Sequence, residues 1–321
     1  MTEPVRLTRS GAIAATVGAV LTGTLVGGAR TAAQAQSLIT LQLGSGSVED
    51  NAESFYAIDA GFFKKNGIGA QLSILRGGAV QISAVVAGQL DAAEASTVAF
   101  GSAISRGVGL TAVAPGLLWD ARYPNAAIVV KPNSPIQTGK DLNNKTIGVT
   151  ALGALGFLGV NAYMDATGGD RSTVKFIEIP SSALAEAVIS ERIDAAVMDE
   201  PGLNEAVSAG RVRSIVDALN GISRLFTKNV WFVRTEWLAQ NKDTARRFAD
   251  SIVAAGAWAE SNRSQSLDIL AKYTSRRMAK SDAQFGRKLD PKLVQPAWDA
   301  AYKYKLYSAP IKAADHCWDG R

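Results

Sequence analysis

Short apolar runs alternate with longer amphipathic segments along most of this chain, and glycine, proline or polar residues separate them. The pattern is clearest between residues 145 and 205, where apolar runs at 146–149, 174–179 and 195–198 alternate with segments of helical periodicity. Short strands that alternate with helices are typical of βαβ units and parallel sheets. The pattern therefore predicts an α/β fold in which the sheets are mostly parallel and are flanked by helices.

The same alternation continues on both sides of this stretch. It predicts further strands at 38–43, 71–75, 90–95, 110–114, 126–130, 212–216 and 229–233, and helices at 48–65, 79–87, 98–105 and 181–193. From residue 236 onward the pattern is mostly helical, with the longest helix at 243–262 and another that begins at Pro291.

Two strongly apolar strands, 126–130 and 229–233, bracket a self-contained α/β unit. We therefore predict two lobes that are connected by two crossovers. In this division residues 36–120 and 228–321 form lobe 1, and residues 121–227 form lobe 2. A length of 321 residues agrees with about two domains.

The N-terminus has the composition of an export signal. Arg6 and Arg9 form a positive start, residues 11–28 are uncharged and apolar, and alanines at 33 and 35 precede Gln36. An uncleaved membrane anchor is the alternative, because the apolar run lies at the lower edge of spanning length, but its many Gly, Ala and Thr residues make a weak span. We predict a signal peptide over residues 1–35, cleaved near Ala35/Gln36, and a periplasmic location.

Composition and charge narrow the possible functions. The chain is 47% hydrophobic and 20% charged, which is ordinary for a globular protein with a full core. The net charge is +5, and the basic residues are scattered singly or in pairs, so no nucleic-acid-binding face is indicated.

Cysteine and histidine are almost absent. Cys317 is the single cysteine, so an intramolecular disulfide and a lipoprotein anchor after the signal are both excluded. Asp315, His316 and Cys317 could be drawn as a metal site, but sequence neighbours rarely converge on one ion, and a solvated terminus is the simpler interpretation. The sequence contains no Gly-x-Ser-x-Gly elbow and no phosphate-binding loop, so we expect neither an enzyme nor a bound cofactor or metal.

Candidate ligand contacts lie where predicted strands end and helices begin. Parallel sheets bind ligands beyond the carboxyl ends of their strands, where helix N-termini present free N–H groups. The residues at such positions, together with a tryptophan at the first crossover, are Ser45, Ser47, Ser96, Thr97, Trp119, Thr150, Gly153, Ala154, Gly156, Asp199 and Glu200.

Most of these residues also have an interpretation without a ligand. The hydroxyls of Ser45 and Ser47 could bind an anion or cap the next helix. Gly153 and Gly156 could let the backbone approach a ligand or could serve tight packing. Trp119 could stack on a flat ligand or pack in the hinge.

Asp199 and Glu200 leave a further alternative open. Either carboxylate could cap the following helix, or it could face the cleft and accept hydrogen bonds from an amine or amide. In the second case a wholly anionic ligand such as nitrate would be disfavoured. Glu94, two residues before Ser96, is expected to point into the sheet or toward a strand partner.

Four segments carry a resemblance to a known family. Residues 59–68 (DAGFFKKNGI) resemble the pattern G-F-F-K-x-x-G-L, and residues 141–149 (DLNNKTIGV) resemble D-L-x-G-K-x-I-G-V without its central glycine. Residues 88–92 (GQLDA) and 191–195 (ERIDA) resemble paired G-x-[IL]-D-A signatures, the second with Glu191 in place of glycine. These patterns are similar to those of the periplasmic solute-binding proteins that serve nitrate, sulfonate, taurine and thiamine-precursor ABC importers. The resemblance covers roughly residues 38–233.

The resemblance implies a two-lobed type II periplasmic-binding-protein fold in which the two crossovers form a hinge. It further implies a monomer that closes on one small molecule. Helix-start donors paired with a possible acidic acceptor suit an organic ligand with an acid group at one end, so we expect a small organic acid, sulfonate-like or an aromatic carboxylate, or a related small molecule. The expected partners are ABC permease membrane subunits with a cytoplasmic ATPase. A ligand-sensing module for a membrane receptor is the alternative. An enzyme of the related pyrimidine-synthesising branch is disfavoured, because that branch uses histidine and clustered cysteines.

Overall fold

The structure, a computed structural model, describes residues 38–275 and 277–321. The export signal predicted over residues 1–35 lies outside the described residues. In the part that is described, no helix is both long enough and apolar enough to cross a membrane.

The elements follow the predicted alternation of strands and helices. Up to residue 120 they are β1 (Ile39–Ser45), α1 (Glu53–Asp59), α2 (Phe62–Lys65), β2 (Ile68–Ile74), α3 (Gly78–Val86), β3 (Ala92–Ser96), α4 (Thr97–Ser105), β4 (Leu110–Pro115) and β5 (Leu117–Asp120). Up to residue 217 they are β6 (Ala126–Val130), β7 (Thr146–Val149), α5 (Leu155–Ala166), β8 (Lys175–Glu178), α6 (Ser181–Ile189), β9 (Ala195–Asp199), α7 (Gly202–Ser208) and β10 (Arg213–Asp217). The remainder comprises β11 (Leu225–Thr227), β12 (Asn229–Arg234), α8 (Thr235–Gln240), α9 (Lys242–Ser261), α10 (Arg263–Thr274), β13 (Gln284–Phe285) and α11 (Pro291–Lys303).

Two five-stranded sheets carry the fold. The first has the order β2-β1-β3-β12-β4, and the second has the order β10-β6-β9-β7-β8. In the first sheet β12 runs antiparallel to both of its neighbours, and in the second sheet β6 does the same. The other strands of each sheet share one direction, so the predicted α/β fold with mostly parallel sheets is confirmed.

The two connections between the sheets lie side by side. β5 leads from the first sheet toward β6, and β11 leads back from the second sheet toward β12. These two strands pair in antiparallel register, with Trp119 opposite Phe226, and β13 adds to the other edge of β5. The lobes are therefore joined through a small three-stranded sheet, whereas the exact lobe limits given above remain a prediction.

One predicted helix is wrong. The segment 48–65 is divided into a 3-10 turn at Glu49–Asn51 and the two short helices α1 and α2. The division between α1 and α2 falls at Gly61, which adopts the left-handed conformation with φ +79°. Ser47 caps none of these helices, because its hydroxyl donates to the carbonyl of Tyr273 at 2.9 Å.

Among the C-terminal helices, α9 packs onto β4 of the first sheet, whereas α11 packs against α4 and β11 and is anchored by polar contacts. Trp298 on α11 is buried and donates through Nε1 to the carbonyl of Thr97 at 2.8 Å. The hydroxyl of Tyr307, also buried, donates to the carbonyl of Val98 at 2.7 Å. Both bonds reach the first turn of α4, so they fix the helix whose start lies at the end of β3.

Candidate functional site

A cavity of about 590 Å³ lies between the carboxyl ends of the two sheets. Its wall includes the segments that follow β1 and β2 and the end of β3 in the first sheet, and the segments that follow β7, β8 and β9 in the second. Residues of α10 and Met278 contribute as well. A volume of this size suits a small organic molecule.

Five of the predicted contact residues line this cavity. They are Ser47, Ser96, Thr150, Asp199 and Glu200. Two of them also stabilise the start of a helix. Ser96 Oγ accepts a hydrogen bond from the backbone N–H of Ala99 at 3.2 Å, and Glu200 Oε2 accepts one from the N–H of Asn204 at 3.1 Å. Ser96 and Glu200 therefore each stabilise a helix start and also line the cavity.

Three other predicted contacts are directed into the protein instead. Ser45 is fully buried, and its hydroxyl donates to the carbonyl of Asn51 at 2.9 Å. Thr97 is also buried and donates through Oγ1 to the carbonyl of Lys228 at 3.2 Å. Trp119 is fully buried, and its Nε1 donates to Asn220 Oδ1 at 3.2 Å. The ring of Trp119 does not reach the cavity wall. Of the two interpretations of Trp119, packing in the hinge therefore agrees with the structure and stacking on a ligand does not.

The glycine-bearing turn before α5 also lies outside the cavity wall, together with Ala154, although Thr150 belongs to it. A Cβ atom on Gly156 would lie 3.1 Å from Val197 Cγ1, so close packing accounts for this glycine. Gly153 has φ +79°, and its nearest side chain is that of Leu306. The turn needs glycine at position 153 for its backbone conformation.

The sequence analysis missed most of the acidic wall. Besides Asp199 and Glu200, the cavity is lined by Glu49, Asp50 and Glu94. The signal for Glu94 was present in the sequence, because it stands between alanines in a buried strand, where a carboxyl group is costly. Glu49 and Asp50 carried no such signal, since the predicted helix 48–65 had no assigned polar face.

Glu94 has an incomplete set of hydrogen bonds. It is fully buried, its Oε2 accepts from Asn51 Nδ2 at 2.5 Å, and its Oε1 has no partner among the described residues. Burial raises the pKa of Glu94 well above its usual value, and the nearby Glu53 raises this pKa further. The folded protein without a ligand therefore disfavours the charged form of Glu94.

Burial also raises the pKa of two carboxyl groups in the segment after β1. Glu49 is 4% exposed, and burial raises its pKa to about 7. Glu53 is 1% exposed, and burial raises its pKa to about 8, with Asp50 contributing in the same direction. Glu49 lines the cavity, whereas Glu53 lies outside its wall, and neither oxygen of Glu53 has a partner among the described residues.

A buried lysine connects the two sides of the cavity. Lys228 Nζ lies 2.7 Å from Asp50 Oδ2 and 3.7 Å from Asp199 Oδ1, and it donates to Asn125 Oδ1 at 3.1 Å. Burial alone would lower the pKa of Lys228, but Asp50 and Asp199 outweigh this effect and raise the pKa. The charged lysine thus links the turn after β1 to the end of β9.

The C-terminal residues do not form a metal site or a solvated tail. Among residues 38–275 and 277–321, no group of three His, Cys, Asp or Glu side chains is placed to hold a metal ion. The tail instead adds to the edge of β4, because Ala112 donates to the carbonyl of His316 and accepts from the N–H of Trp318, both at 2.9 Å. Burial raises the pKa of Cys317 to about 12, so its thiol stays protonated.

Comparison with solved structures identifies the fold. The periplasmic aliphatic sulphonate binding protein SsuA from Escherichia coli superposes with a TM-score of 0.74 at 17% identity, over 87% of this chain and 97% of that one. The alkanesulfonate-binding protein SsuA from Xanthomonas axonopodis pv. citri, bound to MOPS, gives 0.71 at 16% identity, over 87% and 98%. The desulfurization enzyme DSZB gives 0.65 at 17% identity, over 87% and 96%. The chain has the two-lobed periplasmic-binding-protein fold, which therefore occurs in binding proteins and in an enzyme.

Sequence comparison identifies the family. A Brucella abortus (strain 2308) protein named as a binding protein is 26% identical over 229 residues, which is 68% of this chain. The match spans 66% of that relative, just under two thirds of its length. The family model described as NMT1/THI5 like matches residues 49–265, which is more than half of the chain. This protein therefore belongs to the NMT1/THI5-like family.

Proposed function

We propose that this protein is the solute-binding component of an ABC importer and works in the periplasm as a monomer. In this role it delivers a small organic molecule to permease membrane subunits that are coupled to a cytoplasmic ATPase. The observation that carries the proposal is the cavity whose wall comes from the ends of strands in both sheets. The sulfonate-binding proteins of the same fold support it.

The mechanism follows from the position of the cavity. A ligand that contacts the wall contributed by both sheets favours the conformation in which the two walls are close together. The paired strands β5 and β11 connect the lobes and supply the hinge for this closure. Closure around the ligand then distinguishes the loaded protein from the empty one for a permease.

Binding without catalysis is the better match to the cavity chemistry. Within the described residues, the wall contains neither cysteine nor histidine. Cys317 lies at the edge of β4 as a protonated thiol, so it supplies no nucleophile to the cavity. The charge of the wall also bears on the ligand, because its carboxyl groups weigh against a wholly anionic ligand such as nitrate.

The test combines binding with a measurement of shape. The protein produced from the full chain is screened by thermal shift against small organic molecules, and any hit is followed by small-angle X-ray scattering. A ligand at about 100 times its dissociation constant should stabilise the protein by roughly 2.7 kcal/mol, which is a rise of several degrees. We expect the radius of gyration to fall on binding. Ligands that bind without any change in scattering would contradict the proposal.

A pair of variants shows whether the cavity is the site. Ser182 lines the cavity and is exposed at the start of α6, whereas Ser208 is exposed at the end of α7 and lies outside the wall. Ser182→Trp should fill the cavity and weaken binding at least about tenfold, which corresponds to 1.4 kcal/mol. Ser208→Trp should bind as the parent protein does. Equal affinities for the two variants would place the ligand elsewhere.

A further inference from the structure

The charge of the cavity wall is strongly unbalanced. Five carboxyl groups line it, and among the described lining residues Arg76 is the single basic side chain. Lys228, which is buried behind the wall, compensates the charges of Asp50 and Asp199. Among the described lining residues, the carboxyl groups of Glu49, Glu94 and Glu200 are then opposed by Arg76 alone. A ligand with a positive charge would meet complementary groups here, whereas an anion would have to lose its water next to carboxylates.

An unpartnered acceptor lies in the same wall. Glu94 is fully buried, Asn51 donates to its Oε2, and its Oε1 makes no hydrogen bond of good geometry in the described structure. Asn229 of the same wall lies close enough to lower the pKa of this carboxyl group. Buried polar atoms in native proteins are nearly always hydrogen-bonded, so an orphaned oxygen beside a cavity calls for a donor from outside the chain. A ligand N–H group would supply that donor.

The remaining wall indicates which kind of cation fits. Quaternary ammonium ligands are recognised by aromatic cages. The described wall has no phenylalanine, tyrosine or tryptophan, and it offers acceptors instead, including Asp199, whose side chain remains 45% exposed. A cation that carries N–H donors can use these acceptors, and a permethylated one cannot. The volume of about 590 Å³ exceeds what a single inorganic ion would occupy.

We propose that the ligand of this cavity is a small organic cation with N–H donors, of the primary amine, amidine or guanidine class, bound against Glu94 and the carboxylates around it. The inference rests on the proposed solute-binding function and names its ligand class. It differs from the small organic acid expected from the sequence, because it is inferred from the charge and hydrogen-bonding capacity of this wall.

The test compares matched probes by isothermal titration calorimetry and thermal shift. Agmatine, putrescine and benzamidine carry N–H donors on a positive charge; choline carries the charge alone; ethanesulfonate and taurine represent the sulfonates. We expect at least one N–H cation to raise the melting temperature by several degrees, with little effect of choline or ethanesulfonate. If none of the N–H cations binds, or if choline binds equally well, the inference is wrong.

Variants connect the binding to the proposed residues. Glu94→Gln keeps the shape of the side chain but removes its acidic proton and its capacity for negative charge, and we expect at least tenfold weaker binding of the cation. Glu49→Gln, on another element of the wall, should also weaken binding, and it keeps the test valid if Glu94→Gln does not fold. Asp250→Asn, on the exposed side of α9, is the control and should bind normally. Unchanged affinity in both glutamine variants would overturn the inference.

The possible outcomes test the proposed ligand class and the proposed solute-binding function separately. If ethanesulfonate binds and reduces the radius of gyration while the N–H cations do not bind, the ligand class is wrong and the solute-binding function stands. If an N–H cation binds without any change in scattering, the ligand class stands and the proposed closure fails.

Discussion

Burial changes the chemistry of single carboxyl groups in the segment after β1. Glu53 has a pKa of about 8, compared with a usual value of 4.5, because the folded protein excludes water from its charged form. A folded-state pKa above the unfolded value means that the native state holds the proton more tightly. The contribution of this group to stability is therefore complete below about pH 4.5 and is lost as the pH rises through about 8.

We expect Glu53→Gln to reduce this loss, because glutamine is close in shape and cannot ionise. At about pH 9 the variant should be more stable than the parent by up to about 5 kcal/mol, whereas near pH 4.5 the two should be similar. Melting temperatures measured between these limits would show the difference. Glu205→Gln, at an exposed position of α7, should keep the pH dependence of the parent. A Glu53→Gln variant with that same dependence would show that Glu53 titrates normally.

For single residues, the sequence predicts where a candidate side chain lies along the sheet better than it predicts which way that side chain points. Ser96, Thr150 and Asp199 could be found because each directly ends or follows an apolar run, and the ends of parallel strands meet at one edge. Ser45 and Thr97 satisfy the same rule, yet their hydroxyls turn toward carbonyls of neighbouring segments. Which way a hydroxyl turns depends on partners distant in the chain, such as the carbonyl of Lys228, and periodicity carries no information about them.

At the scale of elements, α11 and the residues after it hold the first turn of α4 in place. Tyr307 and Trp298 each donate one hydrogen bond to a carbonyl of that turn. A Cβ atom on Gly101 of α4 would lie 2.4 Å from the Tyr307 hydroxyl and 2.6 Å from Trp298 Nε1. The close contact requires glycine at this position, so these elements are fitted to one another.

We expect Tyr307→Phe to lower the free energy of unfolding by about 1–3 kcal/mol, because the carbonyl of Val98 would lose its side-chain donor in a buried environment. Urea unfolding followed by circular dichroism would measure the change. Tyr302→Phe, at an exposed position of α11, removes the same hydroxyl from the surface and should cost little. If both variants lose the same free energy of unfolding, the buried hydrogen bond of Tyr307 does not stabilise the protein.

Prediction of elements from sequence succeeded where apolar runs are long and failed where strands are very short. The bounds of β6 and β7 match the apolar runs because all or nearly all of their residues are buried. Strands β5, β11 and β13 were missed, since segments of two to four residues are held by pairing with distant strands. The segment containing Trp119 was therefore not predicted as a strand, although it pairs with β11 in the connection between the lobes.

At the scale of the whole molecule, Lys228 is the charged connection between the two sides of the cavity. It neutralises Asp50 next to the first sheet and Asp199 at the end of β9, and it is 2% exposed. Removing one partner from a buried ion pair leaves the others uncompensated, which commonly costs about 3–5 kcal/mol. The contacts of Lys228 therefore favour conformations in which the two acids stay near each other.

We expect Lys228→Met to destabilise the protein by about that amount and to increase the radius of gyration of the ligand-free form, because Asp50 and Asp199 would repel each other. Scattering and chemical unfolding would measure the two effects. Lys145→Met is the matched control, since Lys145 pairs with Asp194 at 3.4 Å near the surface and such pairs contribute little. If Lys228→Met leaves the molecule too unstable to study, Asp199→Asn weakens the same connection by removing one acid. Scattering equal to the control in both variants would exclude a role for Lys228 in holding the lobes together.

The placement of β12 also determines the order in which the chain can acquire its structure during synthesis. β12 lies between β3 and β4 in the first sheet, so β4 has no neighbour in that sheet until the ribosome has added residue 234. The second sheet uses residues 126–217 alone and is complete earlier. The first sheet is therefore begun before the second sheet but completed after it. Its open strand edges need protection from aggregation throughout elongation.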